Sequence, residues 1–435
     1  MSPKVKGDHS GLKGRFLSNQ NSLGFKLFGP FAITLAFAAP ALTILFAHLH
    51  ANALLEALFF GGAIVASAFM LGWVGEAAEL DLSGGLTVGI LAIVTILPEY
   101  VVSIYFAYAA GSDPSMAAYA SANLTGANRL LLGFGWPVVA LFGFLAVRAA
   151  GRRRTSVASI VSQPKSTFGI SLEPEARTDL GFLLIASLLA FLVPLTGYIH
   201  LVWGIAMVAI FVAYLWRQSH AEREEPELEG VAARIGALSK PKRLLFEAIV
   251  LAISAAIILV CAEPFAHALI EAGKSLGVDD YLLVQWLAPI ASEAPEFALA
   301  IIFAARGRAN VGLAILISSK VNQWTVLAGS LPIAYVVGGG QGAALPMDLR
   351  QIEEFTLTAG QTLLGIALLL GLRLGARGAV LLFTLFAVTF VLPQPEIRFG
   401  LAALYLVLAA IIFVVRRKLI WSALAEPFRL PKKLV

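Results

Sequence analysis

Thr95-Ile96-Leu97-Pro98-Glu99 places a carboxylate beside a proline in the middle of the apolar run 84–110, and Ser292-Glu293-Ala294-Pro295-Glu296 does the same inside 280–306. In both, a hydroxyl stands four positions before the glutamate, and the glutamates are 197 positions apart. Ionisable groups inside a membrane are costly and mark functional sites by default. Two matching copies point to an internal repeat.

The rest of the chain supplies the membrane. Of 435 residues, 59% are hydrophobic and 14% charged, with mean hydropathy +0.83, where a soluble domain carries roughly 25% charge. The net charge of +5 comes from basic residues in short loops between apolar runs, where orientation signals belong, so no nucleic-acid role is expected. The single cysteine, Cys261, excludes a disulfide framework and a Cys-based metal or redox centre. The basic stretch 1–26 runs into a long apolar segment without a small-residue cleavage site, which reads as an uncleaved first span.

Runs near the 20 residues a span needs fall at 27–47, 52–76, 84–110, 116–149, 179–197, 200–217, 243–272, 280–306, 309–340, 356–373, 377–393 and 398–416. The longest two, 116–149 and 309–340, carry Gly133, Gly135 and Pro137, and Gly329 and Pro332, so each reads as one interrupted or strongly tilted span, with a pair of half-helices as the alternative. With twelve spans and a cytoplasmic N-terminus, 27 of the 32 Lys and Arg lie inside, Lys274, Arg350 and Arg398 outside, and Arg129 and Lys320 within spans. That asymmetry fits the positive-inside rule. Two units of five spans, an odd number, are inverted relative to each other, a recurring plan of secondary transporters. The expectation is an all-α polytopic membrane protein of about 12 transmembrane helices. It comprises a cytoplasmic N-terminal tail (1–26), an extra helix (27–51), a first inverted repeat (52–217), a cytoplasmic linker (218–242), a second inverted repeat (243–393), and an extra helix with a basic tail (394–435). Both termini would be cytoplasmic, in the cell membrane. The linker mixes Glu222, Glu224, Glu225, Glu227 and Glu229 with Arg and Lys and lacks EF-hand spacing, which reads as a solvated connector.

Glu99 and Glu296 sit near the middle of their spans. The adjacent prolines remove a backbone donor and free carbonyls one turn back. With the hydroxyls of Thr95 and Ser292 these groups make an all-oxygen lining suited to hard cations such as Na⁺ and Ca²⁺. The competing reading is a neutral, hydrogen-bonded structural role for each glutamate. Glu263 and His267, four apart on one helical face, read chiefly as a snorkelling helix-end pair. No helix-borne His-Glu-x-x-His and no Gly-x-Ser-x-Gly is present, so an enzyme is not expected; a channel is the other class left open.

Gly75-Glu76, Leu86-Thr87-Val88-Gly89, Thr95-Ile96-Leu97-Pro98-Glu99 and Ala122-Asn123-Leu124-Thr125-Gly126-Ala127-Asn128 together resemble the first alpha repeat of the calcium/cation antiporter superfamily, the sodium/calcium exchangers. Ala291 to Glu296 with Gly312 to Lys320 resembles the second, so the resemblance covers roughly 52–393. It implies a secondary active cation antiporter working by alternating access. Glu99 and Glu296 would be competing cation or proton sites and the metal ligands, and Thr95, Ser292, Ser319 and Gln323 would line them. Na⁺, Ca²⁺ or H⁺ would be substrates, with no cofactor, and the lipid bilayer would be the only other partner implied.

The departures bear on the ion. In the next helix of each repeat the first copy reads Gly126-Ala127-Asn128-Arg129-Leu130-Leu131 and loses polar groups at Ala127 and Leu131; the second keeps Ser319 and Gln323. Asn128 and Asn322 are further polar candidates. Arg129 and Lys320 are mid-span cations whose natural partners are Glu99, Glu293 and Glu296. Three carboxylates against two cations would leave a site charge of −1, disfavouring several divalent ions. Monovalent sodium/proton exchange, with Lys320 and Arg129 standing in for a bound cation, is therefore the alternative. Anion transport around them and a purely structural salt bridge remain further readings.

Overall fold

The computed structural model describes residues 29–49, 51–78, 80–81, 85–154, 169–220, 228, 230–392 and 394–429, and within these the side chains of 85–96, 150–154, 390 and 391 are not described. The tail 1–26 and the linker residues Glu222, Glu224, Glu225, Glu227 and Glu229 fall outside them.

The apolar runs form helices close to where the sequence places them. In chain order these are α1 (Gly29–Phe46), α2 (Ala53–Ala78), α3 (Gly85–Ala109), α4 (Ala117–Leu130), α5 (Trp136–Arg154), α6 (Ala176–Ala190) with the short α7 (Leu192–Thr196), and α8 (Leu201–Gln218). After α9 (Gly230–Gly236) come α10 (Lys240–Leu276), α11 (Asp280–Ala305), α12 (Ala309–Asn322), α13 (Ala328–Val337), α14 (Leu349–Leu369), α15 (Ala376–Val391), α16 (Pro395–Val415) and α17 (Arg417–Ala425). Among the described residues nine helices are long and apolar enough to cross a membrane. The two overlong runs are each one continuous helix, Pro114–Ala149 and Ala309–Val337. A π turn interrupts each: Leu131–Gly135 joins α4 to α5, and Gln323–Leu327 joins α12 to α13. The second turn precedes Gly329 and Pro332, where the sequence suggested the break.

Short ribbons tie the halves together. β1 (Gly169–Ser171) precedes α6 and pairs antiparallel with β4 (Arg373–Gly375), which follows α14. β2 (Tyr198–His200) follows α6 and α7 and pairs antiparallel with β3 (Ala344–Pro346), which precedes α14. β1 and β3 each precede a long helix, α6 and α14, and β4 and β2 each follow one.

α11 is the central helix, packed against α2, α3, α4, α5, α10 and α12. Its crossing with α4 needs Gly126, because a Cβ there would strike the backbone of Gln285, the small-residue device by which membrane helices approach closely. At the α2–α3 turn, Arg243 of α10 holds Asp81 in a two-pronged pair, Nε to Oδ2 at 2.5 Å and Nη2 to Oδ1 at 2.7 Å. The Arg243 hydrogen bond holds the Asp81 carboxyl below its ordinary range. The tie therefore contributes while Asp81 is ionised and is lost on acidification through that lowered value.

α14 begins at Leu349, ahead of the expected 356, because Asp348 caps it by accepting from the Gln351 amide at 2.9 Å. The extension carries Glu353 and Glu354 into the interior, 2% and 0% exposed. Arg398, expected on the outer surface, is a buried residue of α16. It pairs with Glu353 at 3.1 Å and with Glu354, which also pairs with Arg129 of α4. Removing one member of a buried ion network leaves uncompensated charge, a cost of about 3–5 kcal/mol. Arg398→Ala is expected to lower the unfolding temperature in detergent markedly; an unchanged melting curve would show that the network does not hold α4, α14 and α16 together.

Candidate functional site

Glu99 comes from α3, and Glu293 and Glu296 lie one turn apart on α11. Pro98 and Pro295, each beside its glutamate, lie inside these helices, so both carboxyls stand where the backbone ladder loses a donor. Glu99 is 4% exposed and Glu293 2%, while Glu296 is half-buried. Glu293 occupies the middle, its carboxyl within hydrogen-bonding reach of both Glu99 and Glu296.

The π-bearing spans themselves complete the shell. Gln323, first residue of its π turn, donates from Nε2 to Glu293 Oε1 at 2.7 Å and lies within reach of Glu99. Ser319, one turn earlier, reaches Glu296. Lys320 is fully buried and donates to the Asn128 backbone carbonyl at 2.8 Å and to Asn128 Oδ1 at 3.1 Å, within electrostatic range of Glu293 and Glu99. Leu131 and Gln323 each open their π turn, and counting back three makes Asn128 the counterpart of Lys320. The two spans thus meet through equivalent positions.

Most of the expected lining converges here: Glu99, Glu293, Glu296, Ser319, Gln323 and Lys320 share one cluster, and Asn128 joins it through Lys320. Ser292 donates to the Pro289 carbonyl in its own helix at 3.3 Å. Asn322 is buried, with Oδ1 lacking a hydrogen-bond partner, and its carbonyl accepts from the Tyr100 hydroxyl at 3.2 Å. The Thr95 side chain lies outside the described residues.

Arg129 departs from expectation. It faces α14 rather than the central carboxylates, pairing with Glu354 and donating to Thr389 Oγ1 at 2.5 Å, with its guanidinium 5.2 Å from the Trp286 ring centre. One residue along a helix turns a side chain by about 100°, so Arg129 and Asn128 serve different neighbours. The central charge changes accordingly. Three carboxylates against the Lys320 ammonium leave −2, not the −1 that counting Arg129 gave. Sequence reasoning passed over Glu353 and Glu354, whose one signal was an acidic pair abutting the apolar run 356–373.

Chemically, a carboxyl pair in hydrogen-bonding contact requires a proton on one partner. Loss of that proton creates like charges that repel. Among the described residues no set of three or more His, Cys, Asp or Glu stands ready-made around a metal ion; the carboxyls face one another.

The family described as "Sodium/calcium exchanger protein" matches residues 51–219 and 246–416. The chain belongs to that family. Solved structures resemble the chain as well. The crystal structure of the H+/Ca2+ exchanger CAX is 36% identical, covers 94% of this chain and 98% of its own, and superposes with a TM-score of 0.84. Native YfkE is 16% identical over 86% of this chain and 99% of its own, with a TM-score of 0.57; that likeness is one of fold. No curated protein sequence matches the chain. As a member of the exchanger family the chain is an integral membrane cation transporter, not an enzyme.

Gln323→Leu replaces the amide by an apolar group of similar size and strips Glu293 of a donor. Leaving a buried acceptor unsatisfied costs about 1–3 kcal/mol. The expected readout is a lower unfolding temperature in detergent; no change would mean the amide contributes nothing to the cluster.

Proposed function

We propose that this exchanger moves Ca²⁺ against protons, with Glu99, Glu293 and Glu296 as the shared site. The observation carrying this reading is the central cluster, in which two carboxyl–carboxyl contacts are balanced by one ammonium. With protons aboard, the carboxyls bind one another. Without them the cluster carries −2 and suits a single divalent cation, for which carboxylate, amide and hydroxyl oxygens are the right ligands. Protons and Ca²⁺ then compete for the same oxygens, and competition couples the two fluxes. The 36% identical relative is an H+/Ca2+ exchanger, which favours protons over Na⁺ as the counter-ion. Lys320 supplies the second reading: an ammonium permanently in the site favours one monovalent ion per cycle, hence sodium/proton exchange.

The architecture proposed around this site is about 12 spans in two inverted repeats, 52–217 and 243–393, with an extra helix at each end, both termini cytoplasmic in the cell membrane. Support comes from the matched π turns at Leu131–Gly135 and Gln323–Leu327 and from the two ribbons that interchange when the halves do. Alternating access would rock the mobile spans around the fixed midplane site.

In proteoliposomes, an imposed pH gradient is expected to drive ⁴⁵Ca²⁺ uptake, and Glu99→Gln, Glu293→Gln and Glu296→Gln each to reduce it by about 10²-fold, the lower end for a positioned proton-transfer group. A flux driven by Na⁺ but indifferent to the pH gradient would favour sodium coupling. Undiminished transport in all three variants would remove these carboxyls from the site.

A further inference from the structure

The helix after the last span lies where other helices end. α16 stops at Arg416, whose φ of −104° and ψ of 25° leave the helical region, so α17 does not continue its line. Arg416 donates from Nη1 to the Leu368 carbonyl at 3.2 Å, one residue before the end of α14. Just past the other end of α17, Glu426 pairs with Arg217 at 3.9 Å, one residue before the end of α8. Both ends of α17 are thus held at the level where α14 and α8 finish. Between them it packs on α6, so closely that a Cβ at Gly181 would strike the Ala423 carbonyl.

The outward side of α17 is basic and aromatic. Ala423 is buried, while Arg417, Lys418 and Trp421 are exposed, Trp421 to 74%. Arg417 and Trp421 are four apart and share one helical face. Phe428, two residues past Glu426, is 78% exposed, and Trp216, in the last turn of α8 beside Arg217, is 52% exposed. Tryptophans at the ends of spanning helices mark the boundary between membrane and water, so these rings put α17 at that depth. Arg417 and Lys418 make no ion pair among the described residues, and Glu426, the one acid between Arg416 and Arg429, is taken by Arg217 and Arg429. The exposed acids ahead of α6, Glu173 and Glu175, follow β1, where the ribbon sets Arg373 opposite Ser171.

Water alone would suit the charges but not Trp421 and Phe428, and lipid tails alone would suit the rings but not the charges. The surface of an anionic leaflet suits both. We propose that α17, with the residues to Arg429, is an interfacial helix that binds anionic phospholipid. Arg417 and Lys418 meet headgroup phosphates, and Trp421 and Phe428 sit at the acyl boundary. Because α6 also packs against α12, which carries Ser319 and Lys320, lipid bound at α17 steadies one wall of the central site.

With the full chain in nonionic detergent, phosphatidylglycerol is expected to raise the unfolding temperature to a plateau, whereas phosphatidylcholine and inorganic phosphate are not. The double variant Arg417→Gln/Lys418→Gln is expected to need about thirtyfold more phosphatidylglycerol for half the effect, the loss due to two basic side chains at an anionic surface. Trp421→Ala is expected to raise that midpoint as well. Arg148→Gln/Lys242→Gln, which removes two exposed charges from α5 and α10, is expected to keep the wild-type midpoint. An equal response to phosphatidylcholine or to inorganic phosphate would overturn the proposal, as would equal shifts in the two charge variants. If Arg417→Gln/Lys418→Gln does not fold, Trp421→Ala decides the matter, and an unshifted midpoint there counts against the lipid site.

Discussion

Three carboxyl groups stand against one ammonium in the interior of a membrane protein, and the surrounding architecture serves that imbalance. An unpaired charge in such a medium is prohibitively costly, so the cluster must hold protons or a cation at every moment. Glu293 between Glu99 and Glu296, Gln323 on Glu293 and Ser319 on Glu296 are the contacts that keep the three oxygens pairs converged. Lys320 is held by the carbonyl and side chain of Asn128 rather than by a carboxylate, which leaves the acids free to exchange what they bind.

The second buried charge cluster works differently. Arg129, Arg398, Glu353 and Glu354 pair two cations with two anions, so they need nothing from solution. Such a neutral set suits a fixed joint between α4, α14 and α16. The contrast between a balanced network and an unbalanced one separates scaffold from proposed site without reference to any relative.

The sequence made the helices and the central acids legible because both are strong local signals: long apolar runs interrupted by a carboxylate beside a proline. The placement of Ser319 and Gln323 beside those acids was expected from the resemblance to the exchanger family, not from the first repeat, which carries Ala127 and Leu131 at the corresponding positions. The fate of Arg129 was not, since its partner Glu354 lies 225 positions away and only packing decides which helix a side chain faces. Glu353 and Glu354 escaped notice and Arg398 was placed outside because charges at the edge of an apolar run look like the end of a span, when here α14 and α16 carry them inside. The π turns left only the ambiguous mark of nearby Gly and Pro.

The central claim is that protons and one divalent cation compete for Glu99, Glu293 and Glu296. Because metal binding to protonated ligands releases their protons, calorimetric titration of the detergent-solubilised protein with Ca²⁺ in buffers of different ionisation enthalpy tests it most directly. The account predicts release of about two protons per Ca²⁺ bound near neutral pH, abolished with the binding itself in Glu293→Gln. Ca²⁺ binding with no proton release would contradict it.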